Sequence, residues 1–151
     1  MIFVIRYQNS PTRQVERELV GTWECTYKAN WASDSHGEYQ GVIFNLNRED
    51  TLFLDEVTYS VKLNSDGSAK STFYFTDFDG YEEERTEWFE YDVYCTRHES
   101  GYLSWSIGPV NSNDNIFFVF KDDGGNLSMF VAGRLLPFDS GETNRELKKV
   151  K

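Results

Sequence analysis

Histidine and cysteine are scarce in this chain, at two residues each in 151. With only His36 and His98, a multi-histidine metal site is excluded. The Asp34-x-His36 pair sits in a polar stretch, Ala32 to Gly37, and reads as a solvated loop, so no metal and no cofactor is expected. Cys25 and Cys95 are too few for a disulfide framework. Both fall in β-type segments among apolar neighbours, where buried free thiols are expected. A single bridge would require export. The opening MIFVIRYQNS has only five apolar residues before Arg6, too short for a signal-peptide core. No hydrophobic run approaches membrane-spanning length, so a cytoplasmic location is expected. Basic residues are few as well: 15 Lys and Arg stand against 25 Asp and Glu, a net charge of −10. Phosphate neutralisation needs the opposite balance, which argues against nucleic acid or an anionic membrane as partner. A basic partner would be attracted, although an acidic surface also simply keeps a chain in solution. There is no Ser or Cys nucleophile motif and no Gly-rich phosphate loop leading from strand to helix. Neighbouring carboxylates arise by number alone among 25 acids, and catalysis requires such pairs to be buried and perturbed. A non-enzymatic role is therefore expected.

Aromatic residues are plentiful: twelve Phe, nine Tyr and four Trp make up 17% of the chain. Flat rings pack well on pleated, half-buried sheets. Met1 to Tyr7 is apolar and β-prone, an edge strand or a docked arm. Ser10 as N-cap and Pro11 at the first helical position then start a short helix that ends near Leu19. From Val20 onward apolar residues recur with period two. Trp23, Cys25 and Tyr27 share one face, and so do Val57, Tyr59, Val61 and Leu63. Ser65-Asp66-Gly67 turns the chain into a strand carrying Phe73 and Phe75. Further strands are read at Tyr39 to Leu46, Leu52 to Leu54 and Glu83 to Cys95. Another runs from Gly101 to Ile107, ended by Gly108-Pro109. Ile116, Phe118 and Phe120 are placed on one face, followed by an Asp123-Gly124-Gly125 turn. Leu127, Met129 and Val131 then alternate, and a last strand runs from Arg145 to Val150. About eight to ten short strands at this spacing indicate an all-β protein. The expected fold is an antiparallel up-and-down barrel with a short N-terminal helix. Residues 1–19 form the arm and helix, and residues 20–151 a single barrel domain. Closure is favoured over a sandwich because it hides the unpaired edges of aromatic-rich strands.

The segment Leu19-Val20-Gly21-Thr22-Trp23-Glu24, directly after the helix, resembles the opening of lipocalin-like (calycin-type) barrels. In that family a Gly-x-Trp motif begins the first strand and the Trp closes one end of the barrel. The terminal segment Glu146-Leu147-Lys148-Lys149-Val150 is similar to the last strand of short bacterial members. The resemblance implies a barrel that binds an apolar small ligand in its interior. It also implies an Arg stacked across Trp23, with Arg134 the first candidate and Arg145 the second, as a cation–π pair. The family's Thr-Asp-x-x-Tyr loop is not matched, since Thr76-Asp77 with Tyr81 is one residue too long.

Two binding roles follow. A ligand in the barrel would meet the inward set Trp23, Tyr27, Tyr59, Phe73, Phe75, Tyr91, Trp105, Phe118 and Met129, unless these rings fill the lumen themselves. The alternative is an inhibitor or immunity-type module acting through the acidic 77–92 hairpin. There Asp77, Asp79, Glu82, Glu83, Glu84 and Glu87 would steer a basic protein, with Trp88, Tyr81 or Phe78 as the buried anchor. Asp77-x-Asp79-Gly80-x-Glu82 lacks the spacing and final Glu of a calcium loop.

Overall fold

In the computed structural model, residues 11–29, 54–77, 82–112, 114–136 and 143–151 are described. The expected N-terminal arm, the Ser10 cap, the 32–37 loop, the 39–46 strand and positions 52–53 of the 52–54 strand lie outside them. Helix α1 (Pro11–Leu19) starts on Pro11 and buries Val15 and Leu19, one turn apart on a single face. Eight strands follow: β1 (Gly21–Lys28), β2 (Leu54–Leu63), β3 (Ser68–Asp77), β4 (Glu82–Arg97), β5 (Leu103–Pro109), β6 (Phe117–Lys121), β7 (Leu127–Val131) and β8 (Arg145–Lys149). Each pairs antiparallel with its neighbours in sequence, and β8 returns to β1, closing the barrel. An eight-stranded antiparallel up-and-down barrel with a short N-terminal helix is thus the fold, as period-two patterning predicts. Among the described residues no helix is long and apolar enough to cross a membrane.

Turn chemistry sets the register. In the β2–β3 hairpin Gly67 has φ of 90°, a conformation that glycine adopts without a side-chain clash. Asp66 Oδ1 accepts from the Ser68 amide at 2.9 Å and from the Ser68 hydroxyl at 2.6 Å, which holds its carboxyl below the usual carboxylate range. The resulting register sets Leu63 against Ala69 and Tyr59 against Phe73. The β6–β7 turn closes likewise, with the Gly125 amide donating to the Asp122 carbonyl and the Asn126 amide to Asp122 Oδ1.

The core is continuous from α1 through the barrel: Trp23, Tyr27, Val57, Tyr59, Val61, Leu63, Phe75, Trp105, Ile107, Met129 and Leu147 are all buried. Two expectations are corrected here. Phe118 does not face the interior: Phe117 and Val119 are buried, Phe118 is half-buried on the other face, and Phe120 is exposed. The run Phe117-Phe118-Val119-Phe120 is apolar throughout, so alternation carries no phase information there. Cys95 is likewise exposed and Cys25 half-buried, both as free thiols.

β4 is the longest strand, at 16 residues, and serves its two neighbours with different halves. Residues 82–90 pair with β3, from Glu82 opposite Thr76 to Glu90 opposite Ser68. Residues 91–97 pair with β5, from Tyr91 opposite Pro109 to Arg97 opposite Leu103. The ring is closed, but along residues 82–89 β4 has no partner strand on its β5 side among the described residues.

Candidate functional site

The two halves of β4 place a cleft beside it. The chain leaves the sheet at Pro109, turns through Asn111 at φ of 64°, and rejoins where the Ile116 amide donates to the Ile107 carbonyl at 2.8 Å. Between this excursion and the inner half of β4 lies a cavity of about 610 Å³, open to solvent. Its walls are mostly apolar, formed by Tyr59, Phe73, Phe89, Ile116, Val131 and Leu136, with Arg85, Glu87, Asp114 and Arg134 around it. Tyr59 and Phe73 stack at a centroid distance of 4.8 Å, and Tyr59 lies 6.4 Å from Phe117. Tyr59 and Ser71, which both line the cavity, form a buried polar pair, the hydroxyl and Oγ 3.1 Å apart. Burial pushes the Tyr59 phenol well above its ordinary pKa, so it stays protonated through the neutral range.

The opposite end of the barrel is sealed rather than open. Trp23 is 4% exposed, and its indole N–H donates to the Leu19 carbonyl at 2.9 Å, pinning the end of α1 to β1. Lys149 lies over the indole, Nζ 5.8 Å from the ring centroid, and donates to the Glu18 carbonyl at 2.8 Å. Gly21 admits this closure: a Cβ there would collide with the Lys151 carbonyl, which accepts from the Thr22 amide at 3.1 Å. The cation over Trp23 is therefore Lys149 and not Arg134. Arg134 occupies a short 3-10 turn (Gly133–Leu135) past β7. Val131, at that end of β7, is opposite Arg145, whereas Met129 is opposite Leu147, so β7 leads away from Lys149 and Trp23. Arg145, the second candidate, stands over Tyr27 at 4.9 Å. At Trp23 the cation comes from β8, as a lysine that pairs directly with Trp23.

Of the nine interior residues expected to meet a ligand, only Tyr59 and Phe73 line the cavity. Trp23, Tyr27, Phe75, Trp105 and Met129 are packed core, and Trp105 also donates to Thr12 Oγ1 at 3.3 Å, joining α1 to β5. Tyr91 is half-buried against that core and donates to the Asn64 carbonyl at 2.8 Å. Phe118 faces outward. Alternation does mark Phe89 and Val131 as inward, but Ile116 and Leu136 converge on the cleft only through topology.

Glu82, Glu84, Trp88 and Glu90 are exposed, and Trp88 keeps 66% of its surface in solvent with Lys70 Nζ 5.5 Å from its ring. Glu87 is exposed as well, and both Glu87 and Trp88 line the cavity. Asp79, Tyr81 and Phe78 lie outside the described residues; Asp77 ends β3 and Glu83 lies in β4. Among the described residues no group of three or more His, Cys, Asp or Glu is placed to hold a metal ion.

The eight-stranded antiparallel barrel with its preceding helix fits a calycin-like architecture. No protein-family model, curated protein or solved structure matches the chain.

Proposed function

We propose that this barrel is a lipocalin-like, non-enzymatic binding protein holding one small, mainly apolar ligand in the cleft beside β4. The observation that carries this reading is the cavity itself. Its volume, about 610 Å³, lies within the range of small-molecule sites, and its walls are mainly aromatic and aliphatic, with the charged Arg85, Glu87, Asp114 and Arg134 among them. One end of the barrel is packed shut around Trp23 and the other retains space, the asymmetry a carrier needs. The Tyr59–Ser71 pair offers a single hydroxyl contact to a ligand polar group deep in the cleft.

Native mass spectrometry of protein gently purified from its own host, before and after mild unfolding, tests the reading. A small molecule released on unfolding is expected, and Ile116→Trp, which narrows the cleft, should abolish its retention while leaving the fold intact. Repeated recovery of a bare monomer from its host would refute the carrier role.

A second reading is favoured by one observation, the exposure of Trp88 between Glu84 and Glu90 on the outer face of β4. An exposed indole flanked by acids is the composition of an anchor for a basic protein. Glu84→Lys with Glu90→Lys should leave ligand retention unchanged and weaken binding of a basic partner in a salt-dependent way.

A further inference from the structure

The main-chain direction of β4 adds what side chains alone do not reveal. The Tyr91 amide donates to the Gly67 carbonyl at 2.9 Å, toward β3, whereas the Glu90 carbonyl accepts from the Val110 amide at 2.9 Å, toward β5. Antiparallel strands alternate in this respect, so odd-numbered residues of β4 bond to β3 and even-numbered ones face the other way. Glu84, Thr86 and Trp88 therefore aim their N–H and C=O groups across the cleft. Among the described residues no main-chain bond reaches them. The side chains of these three residues, with those of Glu82 and Glu90, are all exposed, and that of Trp88 also lines the cavity.

We infer that the Glu82–Glu90 edge of β4 takes up an extended segment of a basic partner protein as an added strand. This inference rests on the second reading above and specifies how the partner is held. An added strand meets a ladder of three residues, each offering one donor and one acceptor, and needs no rearrangement of the barrel. Its residues opposite Glu82, Glu84 and Glu90 share their outward face, so lysine or arginine belongs at alternate positions. Lys70 already stands 5.5 Å from the Trp88 ring centroid, so the incoming cations are set against the glutamates. The intervening residues face the cleft, whose walls are apolar. A second copy of this chain is a poor occupant, because pairing two such edges sets glutamates of one strand against glutamates of the other.

An acetylated, amidated nine-residue peptide alternating Lys and Val is the probe, and amide hydrogen exchange of the intact protein is the readout. In the free protein the amides of Glu84, Thr86 and Trp88 should exchange quickly, while those of Glu87 and Phe89 are protected by β3. Saturating peptide should slow the first group on the order of tenfold or more. In antiparallel addition the lysines form the hydrogen-bonded pairs, so N-methylation of the lysine amides should abolish binding and N-methylation of the valine amides should not; the reverse pattern would mark parallel addition and overturn the antiparallel register. Glu84→Gln with Glu90→Gln, both exposed changes, should weaken binding on the order of tenfold at low salt. Binding without protection, or equal binding of the two methylated peptides, would overturn strand addition while sparing a purely electrostatic surface. Absence of binding up to about 1 mM peptide would overturn both. Protection of Thr86 and Trp88 already present in the free protein would show that the edge is occupied and end the proposal.

Discussion

Replacing Trp23 by Phe isolates the contact that seals the barrel. The change removes the indole N–H and leaves the Leu19 carbonyl, now bonded at 2.9 Å in a buried setting, without its donor. An orphaned buried acceptor costs about 1–2 kcal/mol. Contracting a side chain that is 4% exposed adds about 1 kcal/mol from lost burial and the void left behind. Loss of the better π face under Lys149 contributes about 0.5 kcal/mol. Together these predict a destabilisation of about 2–4 kcal/mol, or a fall in Tm of about 5–15 °C for a chain of this length. Urea unfolding followed by far-UV circular dichroism measures it, with the slope against urea unchanged from the parent. A double-mutant cycle with Lys149→Met should return a coupling of about 0.5–1 kcal/mol that shrinks in salt. A loss below about 0.5 kcal/mol for Trp23→Phe alone would refute the reasoning, because it would mean that Leu19 and Lys149 draw nothing from the indole.

Acid titration tests the β2–β3 turn. The Asp66 carboxyl is held below its unfolded value, so its contribution is present above about pH 4 and disappears as pH falls through the folded value. Asp66→Asn should flatten the acid limb of a stability–pH profile, and an unchanged limb would remove the turn from the account. At the other extreme, Tyr59 is held protonated, so its contribution persists below its unfolded pKa of about 10 and is lost as pH rises beyond it. Tyr59→Phe should make stability less steep in alkali, read by Tm between neutral and alkaline buffers, at a neutral-pH loss of about 1 kcal/mol from the Ser71 bond. A thiol reagent under native conditions should modify exposed Cys95 well before half-buried Cys25, as peptide mapping by mass spectrometry would show; the reverse order would contradict the placement of β4.

Much of the fold is legible in the residues because one periodicity governs it. Val57, Tyr59, Val61 and Leu63 alternate with polar neighbours and are all buried, and Asp66-Gly67 fixes the hairpin that follows. Patterning fails where it carries no contrast, at Phe117 to Phe120, since a one-residue shift there leaves an equally apolar face inside. The cleft was legible only in part. Tyr59, Phe73 and Phe89 are marked as inward by alternation, but the cavity exists because β5 ends at Pro109 while β4 runs on. Strand length relative to a neighbour is a property of pairing and is not written in either segment alone. The cation at Trp23 shows the same limit: the need for one is implied by the motif, yet Lys149 is chosen by the β1–β8 register.

The seal at Trp23 also bears on how the chain reaches its fold. Most pairings join strands adjacent in sequence, linked by turns such as Asp66-Gly67, and their loop-closure cost is small. The bond from Lys149 to the Glu18 carbonyl instead joins positions 131 residues apart. Such non-local contacts are made late, because they are rewarded only after the intervening chain has been confined. Until they form, β1 and β8 are bare rims able to meet those of other molecules. Refolding at increasing protein concentration should therefore lose yield at this closing step, and mutations at Trp23 or Lys149 should mainly hasten unfolding rather than slow the formation of the hairpins.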